Sequence, residues 1–122
     1  MVVGMKTHHD LDVWRLAIEL VTFVYRYTES FPKREMYGLT NQIRRSAVSI
    51  PSNISEGAGR TSCKEFSHFL AIALGSIAEL ETQLIIANNI GYLPHDYLNE
   101  LTGKLTSIRR MTLGLKKSIR KE

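Results

Sequence analysis

A single cysteine in 122 residues, Cys63, leaves no intrachain disulfide and removes the secreted, disulfide-stapled class. Proline is scarce, at three residues, so long regular elements face few interruptions. The long uncharged stretch 66–78 is broken by Ser67, His68, Gly75 and Ser76. With about 20 apolar residues needed per span, that pattern predicts no membrane crossing. The start, Met1 to Lys6, lacks the apolar centre of a signal peptide, and a soluble cytoplasmic protein is expected. Histidine is limited to His8, His9, His68 and His95. No pair has i,i+4 spacing, and one cysteine cannot build a zinc quartet. Gly57-Ala58-Gly59-Arg60 has neither the spacing nor the preceding strand of a phosphate-binding fingerprint. A Walker motif and a nucleophile elbow are likewise missing. The expectation is a non-enzyme with no metal and no cofactor.

What is present begins with charge. The chain is +4 overall, with 16 Lys+Arg against 12 Asp+Glu. Residues 1–103 hold nine basic and eleven acidic residues, whereas 104–121 hold seven basic and no acid. Lys104, Arg109, Arg110, Lys116, Lys117, Arg120 and Lys121 thus concentrate the whole positive excess. Such a block is either an electrostatic footprint for nucleic acid or a solvated helix end whose cations complement the helix dipole.

Apolar spacing is helical throughout, at a length and composition suited to one domain, 1–122. A first helix is predicted over about 12–30, with a seam of Trp14, Ala17, Val21, Val24, Thr28 and Phe31. Val13, Leu16, Leu20, Phe23 and Tyr27 widen its apolar surface. The second, about 35–58, carries Met36, Leu39, Ile43, Ala47, Ile50 and Ile54 inward. Pro51 lies within it and predicts a kink. Gln42, Ser46, Ser49, Asn53 and Glu56 form a small polar flank suited to close helix approach. Gly57 and Gly59 are expected to end the helix through positive φ.

The third helix, about 62–90, opens with the capping box Ser62-Cys63-Lys64-Glu65. Phe66, Leu70, Ala73, Ile77, Leu80, Leu84 and Ala87 form its seam. Pro94 opens the fourth, about 94–120, with Leu98, Leu101, Leu105, Ile108, Thr112, Leu115 and Ile119 inward. Short connections make this an all-α, antiparallel up-down-up-down four-helix bundle. Ile72, Gly75, Ser76 and Ile86 fall opposite the third seam, as though another subunit covered them.

Glu81 has the helical phase of Leu70, Ile77 and Leu84 and is expected inside the bundle. Arg44 or Arg45 would neutralise it, with Asn53 or Ser46 adding hydrogen bonds. Removing a partner from such a buried pair costs about 3–5 kcal/mol. A ferritin-like carboxylate site is the alternative, but Glu79-Leu80-Glu81-Thr82 lacks the required Glu-x-x-His.

The stretch from Gln42 to Gly57, Gln-Ile-Arg-Arg-Ser-Ala-Val-Ser-Ile-Pro-Ser-Asn-Ile-Ser-Glu-Gly, carries a resemblance. So do Lys64-Glu65-Phe66, the run from Ala73 to Thr82, and Gly91-Tyr92-Leu93. Together they resemble a bacterial four-helix-bundle family named for proteins encoded in intervening sequences of 23S ribosomal RNA genes. The resemblance covers residues 9–115. It implies a homopentamer around a central channel. It also implies kinship with the accessory protein of diversity-generating retroelements, a pentamer that binds nucleic acid and a reverse transcriptase. Arg44, Arg45, Asn53, Glu56, Gly57, Arg60, Glu79 and Glu81 occupy family motif positions, in binding or in assembly. Ser46 and Ser55 stand where alanine is commoner, a change small enough to keep the fold.

Two functions are compatible with these readings. One is an oligomer that binds RNA through Arg109, Arg110, Lys116, Lys117, Arg120 and Lys121, largely by phosphate contact. The other is a protein-interaction scaffold for a partner enzyme.

Overall fold

The seven-residue spacings fold into four α-helices in the computed structural model, which describes His8 and residues 11–119. They are α1 (Asp12–Thr28), α2 (Leu39–Ala58), α3 (Cys63–Asn89) and α4 (His95–Ile119). A 3-10 turn, Lys33–Glu35, precedes α2. Helix α3 has 27 residues and so is about 40 Å long. The link 90–94 reaches at most about 18 Å, so α4 has to run back along α3. Contacts between distant residues give the same sense elsewhere. Tyr27, late in α1, stacks on Tyr97, early in α4, at 4.0 Å between ring centres. Each helix packs on two neighbours, and the diagonal pairs stay apart among the described residues. The result is a square up-down-up-down bundle.

The core is aliphatic apart from two phenyl rings, Phe31 and Phe66. Leu20, Ile43, Ile50, Ile54, Leu70, Leu80, Leu84, Leu101, Leu105 and Ile108 are essentially inaccessible. In α1 the buried row is Val13, Ala17, Leu20, Val24 and Thr28, rotated from the predicted seam. Trp14 and Val21 instead flank it on the α2 side. Phe23 and Tyr27 flank it towards α4, where Lys104 sits over the Phe23 ring. The wide apolar surface of α1 therefore serves two neighbours at once.

Helix α2 starts four residues later than predicted, and Met36 lies outside it, exposed. The cause is Glu35. Its carboxylate accepts the Leu39 N–H at 3.2 Å and the Tyr92 hydroxyl at 3.0 Å, capping the helix from the preceding turn. Past Pro51 the helix continues to Ala58. Gly57 is inside it, and neither Gly57 nor Gly59 takes positive φ. Gly57 is needed for proximity instead. A Cβ there would lie 2.8 Å from the Phe69 Cβ and 3.2 Å from the Phe66 carbonyl oxygen.

The predicted cap of α3 is half formed: the Ser62 hydroxyl accepts the Glu65 N–H at 3.1 Å. At the other end Gly91 has φ 86°. The Tyr92 N–H bonds the Ala87 carbonyl at 2.9 Å and the Gly91 N–H bonds that of Asn88 at 3.1 Å, a Schellman close. By length and composition α3 could cross a membrane, contrary to the reading from uncharged runs. Here its seam packs into the bundle, while Ile72, Ile85 and Ile86 remain exposed.

Candidate nucleic-acid interface

The expected buried pair does not form. Glu81 is exposed, because Leu80, one residue and ~100° earlier on the helix, holds the inward position. Arg44 turns to α1 rather than α3. Its Nε donates to the Thr28 Oγ1 at 3.0 Å and its Nη2 to the Tyr25 carbonyl at 3.4 Å. The guanidinium also lies over the Tyr25 ring. It thereby closes the C-terminal end of α1, where unpaired carbonyls favour a cation. Arg45 is exposed, in a cleft with Asn41, Gln42, Glu79 and Gln83.

The polar join between α2 and α3 uses Ser46 and Ser49 of the predicted flank, with Glu79 rather than Glu81 as the acceptor on α3. The buried Ser46 hydroxyl donates to Glu79 at 2.5 Å. Ser49 and Ser76 hydroxyls meet at 2.8 Å. Asn53 donates to the Ser49 carbonyl at 2.8 Å and to its hydroxyl at 2.9 Å. Asn53 thus bonds Ser49 within its own helix rather than Glu81 across to α3. Ser76 faces α2, not the outer side of α3. The resemblance placed Glu79 on a motif position but not its pairing with Ser46, for which the serine row on α2 was the available signal: small hydroxyls at a close helix crossing require acceptors.

On α4 the basic residues separate into two edges. Towards α1, Lys104 bonds Glu19 at 2.9 Å, and Tyr27 donates to Glu100 at 2.6 Å. That carboxylate raises the Tyr27 phenol above its ordinary pKa. Towards α3, Arg109, Arg110 and Lys117 are exposed and Lys116 is half-buried. None of these four makes an ion pair among the described residues. Arg120 and Lys121 lie outside the described residues. Arg109 and Arg110 border a groove of about 540 Å³ between α3 and α4, with Glu81, Thr106 and Leu113 on its walls. Ile77, Ala78 and Leu105 complete its apolar floor.

The outward side of α3 differs in kind. Ala71, Gly75, Ala78, Thr82 and Ile85 recur at steps of four and three, all exposed and uncharged. A Cβ on Gly75 would meet nothing within 4 Å. Among the described residues no three His, Cys, Asp or Glu side chains converge as metal ligands.

Residues 9–114 match the family described as 23S rRNA-intervening sequence protein. The fold is similar to a crystal structure of a protein of unknown function from the S23 ribosomal protein family of Bacteroides thetaiotaomicron. That likeness has a TM-score of 0.78 at 24% identity, over 86% of this chain and 95% of the other. No curated protein matches the chain.

Proposed function

The chain belongs to the 23S rRNA-intervening sequence protein family, and from that premise we propose a non-enzymatic homo-oligomer that binds RNA. The observation that carries the RNA reading is the α3-facing edge of α4. Four cations stand there over two helical turns without an ion pair among the described residues. Cations so placed can displace counterions from a phosphate backbone, a sequence-independent source of affinity. Among the described residues no aromatic side chain lines the groove, which favours backbone contact over strong sequence specificity. The family's own name contains an RNA, but names no binding partner.

The oligomer rests on α3. A row of small and apolar residues beside the groove, Ala71, Gly75, Thr82 and Ile85, suits helix packing against a second copy. Five copies is the number the family resemblance implies, and it brings five basic edges to one particle. Expected in sedimentation velocity is an assembly that Ile85→Glu reduces to smaller species; an unchanged sedimentation coefficient removes this row of α3 from the interface.

The alternative, a scaffold for a partner enzyme, is favoured by one observation. Trp14, Ile18, Val21, Val48 and Pro51 line an apolar groove between α1 and α2. Replacing Arg109, Arg110, Lys116 and Lys117 together by Ala separates the readings. RNA affinity falls about 100-fold at low salt if those residues meet phosphates. Unchanged affinity leaves the scaffold.

A further inference from the structure

The α3–α4 groove holds opposite charges that are not paired with each other. Glu81 stands on one wall and Arg109 and Arg110 on the other. No Glu81 ion pair forms among the described residues. A phosphate alone would suit the arginines and be repelled by the carboxylate. A ligand that satisfies both walls needs an anion and, beside it, an edge rich in hydrogen-bond donors. The floor of Ile77, Ala78 and Leu105, with Leu113 at the rim, suits a flat apolar face. At about 540 Å³ the groove lies within the usual range of small-ligand pockets, roughly 300–1,000 Å³.

The geometry points to a single unpaired guanine nucleotide of the bound RNA as the occupant, a reading that rests on the RNA-binding proposal. An ionised carboxylate has two acceptor oxygens and no donor. Guanine alone among the RNA bases presents two adjacent donors on its Watson–Crick edge, N1–H and the 2-amino group, so both can meet Glu81. Adenine and cytosine each offer one amine beside an acceptor nitrogen, which would face the carboxylate unfavourably. Uracil offers one N–H between two carbonyls. Arg109 and Arg110 take the flanking phosphates, and the aliphatic floor covers one face of the ring. Recognition of unstacked bases by their edges is the usual route to sequence preference in RNA.

The test uses fluorescein-labelled U-rich RNAs of about ten nucleotides, a length that covers a single-strand site, each with one central guanine, inosine or adenine. Fluorescence anisotropy on the full chain is expected to show guanine favoured over adenine by about tenfold, the low end of what one bidentate base contact confers. Inosine, which lacks the 2-amino group, should lose most of that preference. Glu81→Gln should level the three, at or above the wild-type affinity for adenine, because a charge repelling phosphate is gone. An unchanged melting temperature for this exposed substitution shows that the fold is intact. Equal wild-type binding of all three RNAs overturns the guanine site while leaving RNA binding in place. A guanine preference that survives Glu81→Gln overturns the role of that carboxylate. If none of the three binds, the guanine site and the RNA-binding reading fall together.

Discussion

Two edges of α3 carry one glutamate each, two residues apart, and the structure uses them in opposite ways. On the α2 edge, Glu79 accepts a hydrogen bond from the buried Ser46, while Ser49, Ser76 and Asn53 extend the join. Gly57 brings the backbones close against Phe66 and Phe69. On the α4 edge the helices part, leaving a groove in which Glu81 faces Arg109 and Arg110 without an ion pair. The first edge is a joint closed by small residues and satisfied hydroxyls. The second leaves its charges open and without an ion pair among the described residues. Polar residues on the same helix thus mean assembly of the fold on one side and an open surface on the other.

The largest expected effect sharpens the closed edge. Gly57→Val forces carbon atoms into the Phe66 and Phe69 contact, where overpacking costs about 1–3 kcal/mol. Better helix propensity returns only roughly 0.5 kcal/mol. Urea denaturation should therefore show a net loss of about 0.5–2.5 kcal/mol; a stability gain would mean that the α2–α3 approach is looser than described. The paired substitutions Glu79→Ala and Glu81→Ala test the contrast itself. Glu79→Ala leaves the buried Ser46 hydroxyl without its acceptor, at about 1–2 kcal/mol. Glu81→Ala, at an exposed site, should change stability by less than ~0.5 kcal/mol. The reverse order would restore the buried-pair reading of Glu81.

The four helices were legible in the sequence because burial follows a 3.6-residue period, and Phe66 through Ala87 recur on it without a break. Rotation was less legible. In α1, Ala17, Val24 and Thr28 belong to both possible seams, so spacing alone could not place Trp14 at the flank. Glu81 shows the same difficulty at one position. A residue ~70° from the centre of a seam can be read as inside or outside, since the neighbouring helices decide. The basic concentration in α4 was visible as composition. Its division into a paired edge with Glu19 and an open edge beside Glu81 depends on contacts 85 residues apart in the chain, which no local pattern records. Gly57 was correctly singled out for a wrong reason: the requirement is space beside Phe69, a tertiary fact.

The central claim is that the open edge of α4 exists to meet phosphate. The most direct measurement is the affinity of the wild-type chain for a structured or U-rich RNA by fluorescence anisotropy at about 50 and 200 mM salt. Four phosphate contacts on a single strand predict a fall of roughly 50-fold between the two conditions. Binding that does not change with salt, or no binding at the lower concentration, would contradict the account.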